Sequence, residues 1–174
     1  MTGLILASAL GGASIAVSVI EQNSREKIIN TRFDGRTTAI TAGSRNALSV
    51  IGAWERMREK AADILDIRIS DGLSPLFLHF DHVDLDEGPL GYIVENRIIR
   101  SALLERLDEL PTVKLHFGCC VETLDREGKL AEAKLDNGKT LKAPIAIATD
   151  GRGSPTRTAA QIGVKQSRYP QIGI

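Results

Sequence analysis

A glycine and an acidic residue near the start of the chain have the spacing of a nucleotide-binding motif. Glu21 lies 18 residues after Gly3, and the segment between them divides into a helix-forming run at residues 4–10, a Gly-Gly pair, and a β-branched run at residues 15–20. In the second half of a βαβ unit, a carboxylate at the strand tip accepts hydrogen bonds from the ribose hydroxyls of an adenosine. The order helix, turn, buried strand and acid therefore predicts such a unit, with Gly3 as the last glycine of a G-x-G-x-x-G fingerprint.

This interpretation extends to the residues around the motif. Met1 and Thr2 occupy the two variable positions of the fingerprint, so the first strand and the first two glycines are expected before Met1, and the chain is expected to be a truncated segment. One alternative is a short surface helix followed by any buried strand that ends in a solvated glutamate. Another takes residues 3–20 as a membrane anchor, since 18 uncharged residues reach the lower limit for a spanning helix.

A second acidic residue follows another apolar run. Residues 145–148 are Ile-Ala-Ile-Ala, which predicts a strand buried on both faces, and the segment TDGRGSPTR follows at residues 149–157. Open α/β sheets bind ligands at the carboxyl ends of such strands, so Asp150, with Gly151 beside it and Arg157 nearby, could accept hydrogen bonds from ribityl or ribose hydroxyls. The alternative is an ordinary turn in which Asp and Gly serve the strand exit.

The segments between the motifs predict the elements that position them. Residues 43–60 predict a helical region with one apolar face, in which Gly52 is either an internal weakness or a break between two short helices. Residues 64–80 predict strands. Asn96 is expected to cap a helix over residues 97–110.

The pattern then changes to period two. Val113 begins an alternation that continues to Leu141, with turn residues between the apolar stretches, and this predicts an antiparallel meander. Residues 171–174 are expected to lie within a further apolar strand. Because no repeat, low-complexity tract or linker interrupts the chain, residues 1–174 are expected to form a single, truncated domain.

The composition is that of an ordinary globular protein. The 174 residues are 43% apolar and 25% charged, and 22 basic residues balance 22 acidic ones, so no net charge or basic run attracts nucleic acid. Cys119 and Cys120 are adjacent and are expected to be free thiols, and they predict no metal site. His79, His82 and His116 are scattered, and none is assigned a catalytic role.

Four segments, in this order, resemble the flavoprotein aromatic hydroxylases, the group A monooxygenases, and most closely their ubiquinone-biosynthesis branch. The segments are GLILASAL with Glu21, RTTAITAGSRNALSVIGAW, YIVENRIIRSALLERL and TDGRGSPTR. They extend over nearly the whole chain, and the second and third are not general nucleotide-binding patterns. The resemblance implies an α/β fold, specifically an incomplete Rossmann-like, three-layer FAD-binding fold with an antiparallel β-meander and part of a substrate-side sheet.

The resemblance also implies roles for single positions in the first half of the chain. Gly3 matches the last glycine of the fingerprint, which allows helix and strand to pack closely, and Glu21 matches the acid that holds the adenosine ribose of FAD. Arg36 matches an arginine that approaches the flavin cofactor. Arg97 matches a polar residue that contacts the pyrophosphate or ribityl region of the cofactor.

Further positions are implied in the second half. Val121 matches a position whose backbone meets the adenine, and Asp150, Gly151 and Arg157 match the family's D-G motif, which lies near the FAD and is tied to use of the nicotinamide cofactor. The family's later G-D motif, and the sheet that covers the aromatic substrate, are expected after residue 174.

For the whole protein, the resemblance implies a hydroxylase. In that family NAD(P)H reduces FAD, and the reduced flavin uses O2 to hydroxylate an electron-rich ring, so no metal and no catalytic triad is expected. The implied substrate is a phenolic or prenylated ring of ubiquinone biosynthesis, and these 174 residues alone are expected to be inactive. The implied location is cytoplasmic, with peripheral contact to the inner face of the membrane or to other ubiquinone-synthesis enzymes. A non-catalytic nucleotide-binding or interaction module remains the alternative.

Overall fold

The computed structural model describes residues 1–29, 35–72, 75–85, 88–168 and 170. By its internal contacts the chain divides into two compact units, Met1–Cys120 and Val121–Ile174. The strand expected at residues 171–174 lies outside the described residues.

The first unit contains both helices and strands. Its elements are α1 (Thr2–Gly12), β1 (Val17–Glu21), α2 (Arg25–Ile29), β2 (Thr37–Thr41), α3 (Ala42–Val50), β3 (Ala62–Ile64), β4 (Asp66–Ser70), β5 (Phe77–Asp81), β6 (Gly91–Glu95), α4 (Asn96–Asp108) and β7 (Val113–Phe117), with 3-10 turns at Trp54–Arg56, Arg58–Lys60 and His82–Leu85. β1 and β7 pair in parallel, and β6 lies between β2 and β3 in an antiparallel sheet. β4 and β5 form a separate antiparallel pair.

The helix, turn and strand predicted for residues 4–20 are present, which rules out one continuous helix over residues 3–20. α1 has 11 residues and gives way to β1 five positions later. None of the helices within the described ranges is long and apolar enough to cross a membrane. The alternative in which residues 3–20 form a membrane-spanning helix is therefore wrong.

α1 and α4 run in the same direction over the β1–β7 pair. The amino group of Met1 is electrostatically coupled to Arg100, and at the other end of α1 a Cβ at Gly11 would lie 3.0 Å from Leu110 Cδ1 and 2.4 Å from Val113 Cγ2. The close approach of helix and strand therefore depends on Gly11. Both helices begin at the same edge of the unit, and β1 runs toward that edge.

α4 connects two apolar clusters of the first unit. Its residues Ile99 and Leu103 pack with Trp54 and Tyr92 beside the β2–β6–β3 sheet, and Leu107 packs beside β1 and β7. This shared packing fixes α4 relative to both sheets, so the residues in its first turn have defined positions. Gly52 has a φ of +77° and separates α3 from the 3-10 turns, so of its two expected roles the structure shows the break.

Two predictions within the first unit are wrong in detail. β7 was expected to start the meander, but it pairs in parallel with β1; period two predicts a strand without saying which strand it pairs with. Asn96 was expected to cap α4, but it is the first residue of the helix, and its Oδ1 accepts a hydrogen bond from Thr38 Oγ1 at 2.6 Å. The β2–β6 pairing extends to Glu95 and places Thr38 close enough to engage the Asn96 amide.

The second unit contains the predicted meander. Its elements are β8 (Val121–Asp125), β9 (Ala131–Leu135), β10 (Thr140–Ala143) and α5 (Pro155–Ala159), and the strands pair in the order β8, β9, β10. The buried strand predicted at residues 145–148 is wrong for this structure, since Ile145 is 73% exposed and Ile147 57% exposed. A strand buried on both faces needs neighbouring strands, and none of the described strands pairs with this run.

Neither cysteine forms a disulfide, as predicted. Cys119 is buried and Cys120 is exposed, so only the second thiol is open to solvent.

Candidate functional site

Glu21 lies at the carboxyl end of β1, and the end of β7 holds this strand tip in place. Glu21 is the register partner of Phe117, and the Cys119 amide donates a hydrogen bond to the Glu21 carbonyl at 3.4 Å. The Gly118 amide donates to the Asn23 carbonyl at 3.2 Å. The backbone from Glu21 to Asn23 is therefore tied to the neighbouring strand, so the position of the acid does not depend on its own side chain.

Asn23 orients the Glu21 carboxylate. Its backbone N–H and its side-chain Nδ2 both donate to Glu21 Oε1, at 2.9 Å and 2.8 Å. Within the described part of the chain both of these bonds end on Oε1, so Oε2 is the oxygen that can accept from a ligand. A carboxylate held in this way can accept hydrogen bonds from a ribose diol.

The N-terminus of α1 is adjacent to this acid. No side chain caps the helix and its first turn contains no acidic residue, so the amide groups around Gly3 carry the positive end of the helix dipole. Burial lowers the pKa of the Met1 amino group; Glu21 opposes this shift and Arg100 reinforces it. The start of α1, the tip of β1 and Arg100 are thus close enough to interact electrostatically.

Two further arginines lie where α4 begins. Arg36 directly precedes β2, and its carbonyl accepts a hydrogen bond from the Asn96 amide at 3.1 Å, so the structure brings Arg36 next to Arg97. Both side chains are exposed. Arg97 Nε donates to Glu95, and this hydrogen bond raises the pKa of Arg97. Together with Arg100, one helical turn later, these residues supply cationic donors to the N-terminal edge of α4.

In the second unit the structure brings Asp150, Gly151 and Arg157 into one capped turn. Asp150 Oδ2 accepts from the Thr156 amide at 3.1 Å, and hydrogen bonding, from Ser154 first, lowers the pKa of Asp150. Gly151 has a φ of +87°, which favours glycine. Ser154 caps α5 by accepting from the Arg157 amide at 2.9 Å. An ordinary turn after residues 145–148, the alternative interpretation of this segment, would contain the same hydrogen bonds.

Val121 opens the meander and lies apart from that turn along the chain. It is the first residue of β8, is 40% exposed and pairs with Leu135, and the ladder is irregular between Val121 and Thr123. Its backbone is therefore at an irregular strand end.

The donor set of the first unit fits an adenine dinucleotide. Glu21 Oε2 suits the ribose hydroxyls, and the arginines together with the uncapped α1 N-terminus suit a pyrophosphate. Two residues that support this set were missed by the sequence analysis. The sequence does point to Arg100, because residues three apart on a helix are neighbours and Arg97 is a predicted cofactor contact. No sequence pattern points to Asn23, because its hydrogen bonds to Glu21 depend on the turn that follows β1.

Comparison with known proteins gives a consistent result. A family model described as an FAD binding domain matches residues 1–171. Ubiquinone hydroxylase UbiL of Rhodospirillum rubrum is 37% identical over 174 residues, which are 100% of this chain and 40% of that protein. The 3-demethoxyubiquinol 3-hydroxylase of Escherichia coli is 30% identical over 98% of this chain and 44% of that protein.

The solved structures support the fold. PqsL of Pseudomonas aeruginosa, described as a probable FAD-dependent monooxygenase, superposes with a TM-score of 0.77 at 21% identity, over 96% of this chain and 44% of that one. At that identity the match concerns the fold alone. This chain spans about 40% of the length of the relatives that it matches.

Proposed function

This chain belongs to the family of FAD-binding domains, and from that premise we propose that it provides the adenosine- and pyrophosphate-binding part of an FAD-dependent hydroxylase of ubiquinone biosynthesis. The observation that carries the proposal is the Glu21 carboxylate, held at the end of a parallel strand by Asn23 and next to the uncapped N-terminus of α1. The similarity to two ubiquinone-pathway hydroxylases supports the choice of pathway.

Each group of the first unit has a distinct part in this proposal. Glu21 Oε2 accepts hydrogen bonds from the adenosine ribose. The amide groups at Gly3 and the start of α1 face the pyrophosphate, and Arg97 and Arg100 compensate its negative charge. Arg36 approaches the cofactor from the start of β2. These groups bind and orient the cofactor, and no proton transfer is assigned to them.

The second unit contains the other positions that the resemblance assigns to the cofactor. We assign the irregular strand end at Val121 to the adenine, and the capped turn of Asp150, Gly151 and Arg157 to the cofactor and to use of NAD(P)H. The Asp150 carboxylate already accepts from the Thr156 amide, so its role would be to fix the turn as well as to meet a hydroxyl.

FAD, once bound and reduced by NAD(P)H, supplies the activation of O2 that hydroxylates an electron-rich ring. We propose a phenolic, prenylated ring as the substrate. A prenyl chain partitions into lipid because each buried methylene contributes about 0.8 kcal/mol. This favours a cytoplasmic protein that works at the inner face of the membrane, in contact with the lipid or with other ubiquinone-synthesis enzymes.

The proposal is tested by expressing the protein from its complete gene and recording its absorbance spectrum. A yellow protein with the two flavin bands, which bleach when NADH or NADPH is added anaerobically, is the expected result. A folded but colourless protein that also fails to take up added FAD would contradict it. That outcome would favour a non-catalytic interaction module.

Asn23 offers a separate prediction about how Glu21 is positioned. Asn23→Ala removes one of the two donors that orient the carboxylate, and the backbone N–H keeps the other. Because the lost bond is within the protein and is present with or without FAD, FAD binding is expected to weaken only about fivefold to tenfold, or about 1–1.4 kcal/mol, which is less than the contribution of about 1.5–3 kcal/mol from a direct hydrogen bond to a charged group. The measurement is the FAD dissociation constant from equilibrium titration.

A double-mutant cycle shows whether Asn23 acts through Glu21. In a Glu21→Ala background the Asn23→Ala change is expected to have no further effect on FAD affinity. Asn137→Ala serves as the control and is expected to leave FAD affinity unchanged. The Asn137 side chain also makes a local hydrogen bond, in which its Oδ1 accepts from the Lys139 amide at 3.1 Å, but it lies in the β9–β10 turn. An equal loss in both backgrounds would mean that Asn23 does not act through Glu21.

A further inference from the structure

The β4–β5 pair has one polar and one apolar face. Antiparallel pairing places Asp66 opposite Asp81, Arg68 opposite His79 and Ser70 opposite Phe77, and the intervening positions are occupied by apolar residues. Because residues two apart on a strand share a face, Asp66, His79 and Asp81 lie on the same side of the pair.

The polar face brings two carboxylates together at one end. Asp66 and Asp81 are direct cross-strand partners, an arrangement in which like charges destabilise a sheet. His79 lies beside them, with Nε2 2.5 Å from Asp66 Oδ1. One ligand atom from each of Asp66, His79 and Asp81 lies within 4.8 Å of the others. Arg68, on the same face, is placed over the ring of Phe77, with Cζ 5.9 Å from the centroid.

His82 holds the second carboxylate in position. Its backbone N–H donates to the Leu65 carbonyl at 3.0 Å, and its Nδ1 lies 3.1 Å from Asp81 Oδ1 and 3.2 Å from the Leu65 carbonyl oxygen. Carboxylates and imidazoles that bind metals are commonly fixed by such outer hydrogen bonds. The Val83 amide also donates to Asp81 Oδ1, at 3.0 Å, so this oxygen has two partners that orient the carboxylate.

We propose that Asp66, His79 and Asp81 form a binding site for a divalent transition-metal cation of the zinc class, at the end of the β4–β5 pair where His82 follows. One imidazole nitrogen and two carboxylate oxygens are a mixed donor set that suits Zn²⁺, whereas Mg²⁺ and Ca²⁺ prefer oxygen alone. The cation offsets the repulsion between the two aspartates, and water completes its coordination. None of these three residues is among the groups proposed to bind FAD.

The distances permit such a site after a small adjustment. Zn–N and Zn–O bonds of about 2.0–2.1 Å in tetrahedral geometry separate two ligand atoms by about 3.3 Å. Binding therefore requires the Asp66–His79 contact of 2.5 Å to lengthen by less than about 1 Å, and ligand atoms that are up to 4.8 Å apart to approach by up to about 1.5 Å, as the cation replaces the hydrogen-bond proton. The two side chains are 52% and 35% exposed, so this needs only rotation at the surface.

The test uses the whole protein after removal of metal with a chelator, titrated with Zn²⁺ in competition with a chromophoric indicator. We expect one saturable site per chain, with affinity at least about tenfold lower in His79→Ala and in Asp81→Asn. Asp136→Asn, an exposed carboxylate in the second unit, is the matched control and is expected to leave the affinity unchanged. Circular dichroism of each variant confirms that the fold is kept.

Cys120 provides the competing explanation for any zinc binding, since it is an exposed thiol and a soft ligand. Cys120→Ser is expected to keep the affinity, and Co²⁺ bound to that variant is expected to show ligand-field bands without a thiolate charge-transfer band. Loss of binding in Cys120→Ser, unchanged binding in His79→Ala, or the absence of saturable Zn²⁺ binding by the unaltered protein would each overturn the proposal. FAD content is measured in parallel and is expected to stay the same, so failure here is separable from failure of the proposed function.

Discussion

Replacing Glu21 with alanine is expected to lower the affinity for FAD at least about 100-fold. The carboxylate is fixed on one oxygen by the two Asn23 donors, and its other oxygen is the acceptor proposed for the ribose hydroxyls. Hydrogen bonds to a charged group contribute about 1.5–3 kcal/mol each, and 1.4 kcal/mol corresponds to a factor of ten in affinity. Two such bonds therefore account for the expected loss even at the low end of that range.

The size of this effect depends on charge as well as geometry. Glu21→Gln keeps an oxygen acceptor in the same place but removes the negative charge. We therefore expect its affinity for FAD to lie between that of Glu21→Ala and that of the unaltered protein. Glu26→Ala removes an exposed carboxylate five residues later, on α2, and is expected to leave FAD affinity unchanged. The measurement is the dissociation constant from quenching of flavin fluorescence in the apoprotein. Binding by Glu21→Ala within about threefold of the unaltered protein would remove the basis of the proposed adenosine site.

Loss of affinity must be separated from loss of the fold. The backbone at Glu21 and Asn23 is held by the Cys119 and Gly118 amides, which the substitution does not touch. Only the two Asn23 donors lose their acceptor, in a partly buried position. We therefore expect the free energy of unfolding of Glu21→Ala to fall by no more than about 1–2 kcal/mol. A folded apoprotein that no longer binds FAD is the informative result.

The first site motif could be predicted from the sequence because it is local. The apolar run, the Gly-Gly pair and the β-branched run before Glu21 lie within 18 residues, and their periodicities identify a helix and a strand directly. Gly52 is a local signal of the same kind, because a glycine within an apolar helical pattern indicates a weak point or a break. The parallel partner of β1 could not be found in this way, because β7 lies about a hundred residues away and its alternation fits either sheet.

Other features depend on contacts that no sequence pattern specifies. Residues 145–148 have the composition of a buried strand, but a strand forms only where it has neighbours, and the described strands leave this run exposed. The cluster of Asp66, His79 and Asp81 cannot be predicted from its spacings of 13 and 2 residues, because only the register of β4 and β5 brings the three side chains together. Asn96 has a residue type typical of helix caps, yet the pairing of β2 with β6 engages its side chain with Thr38.

The largest effect on stability is expected from Gly91, at the start of β6. A Cβ at this position would lie 2.7 Å from the Ile40 carbonyl oxygen, which is shorter than side-chain contacts allow, and 3.5 Å from Ile64 Cδ1. The close neighbour is backbone and not the flexible end of a side chain. Gly91 pairs with Thr41 on one side and with Ile64 on the other, so neither strand can move away without breaking the ladder.

Gly91→Ala is therefore expected to reduce the free energy of unfolding by about 2–3 kcal/mol, at the upper end of the cost of overpacking a core. Gly43→Ala is the matched control. Nothing lies within 4 Å of a Cβ at Gly43, in the first turn of α3, and alanine there is expected to stabilise by up to about 1 kcal/mol. Chemical denaturation of both variants gives the comparison, and equal stability would show that β6 can shift within its sheet. Because β6 leads directly into α4, a shift that relieves the clash would also move Arg97, and the FAD affinity of Gly91→Ala would then fall although its stability is unchanged.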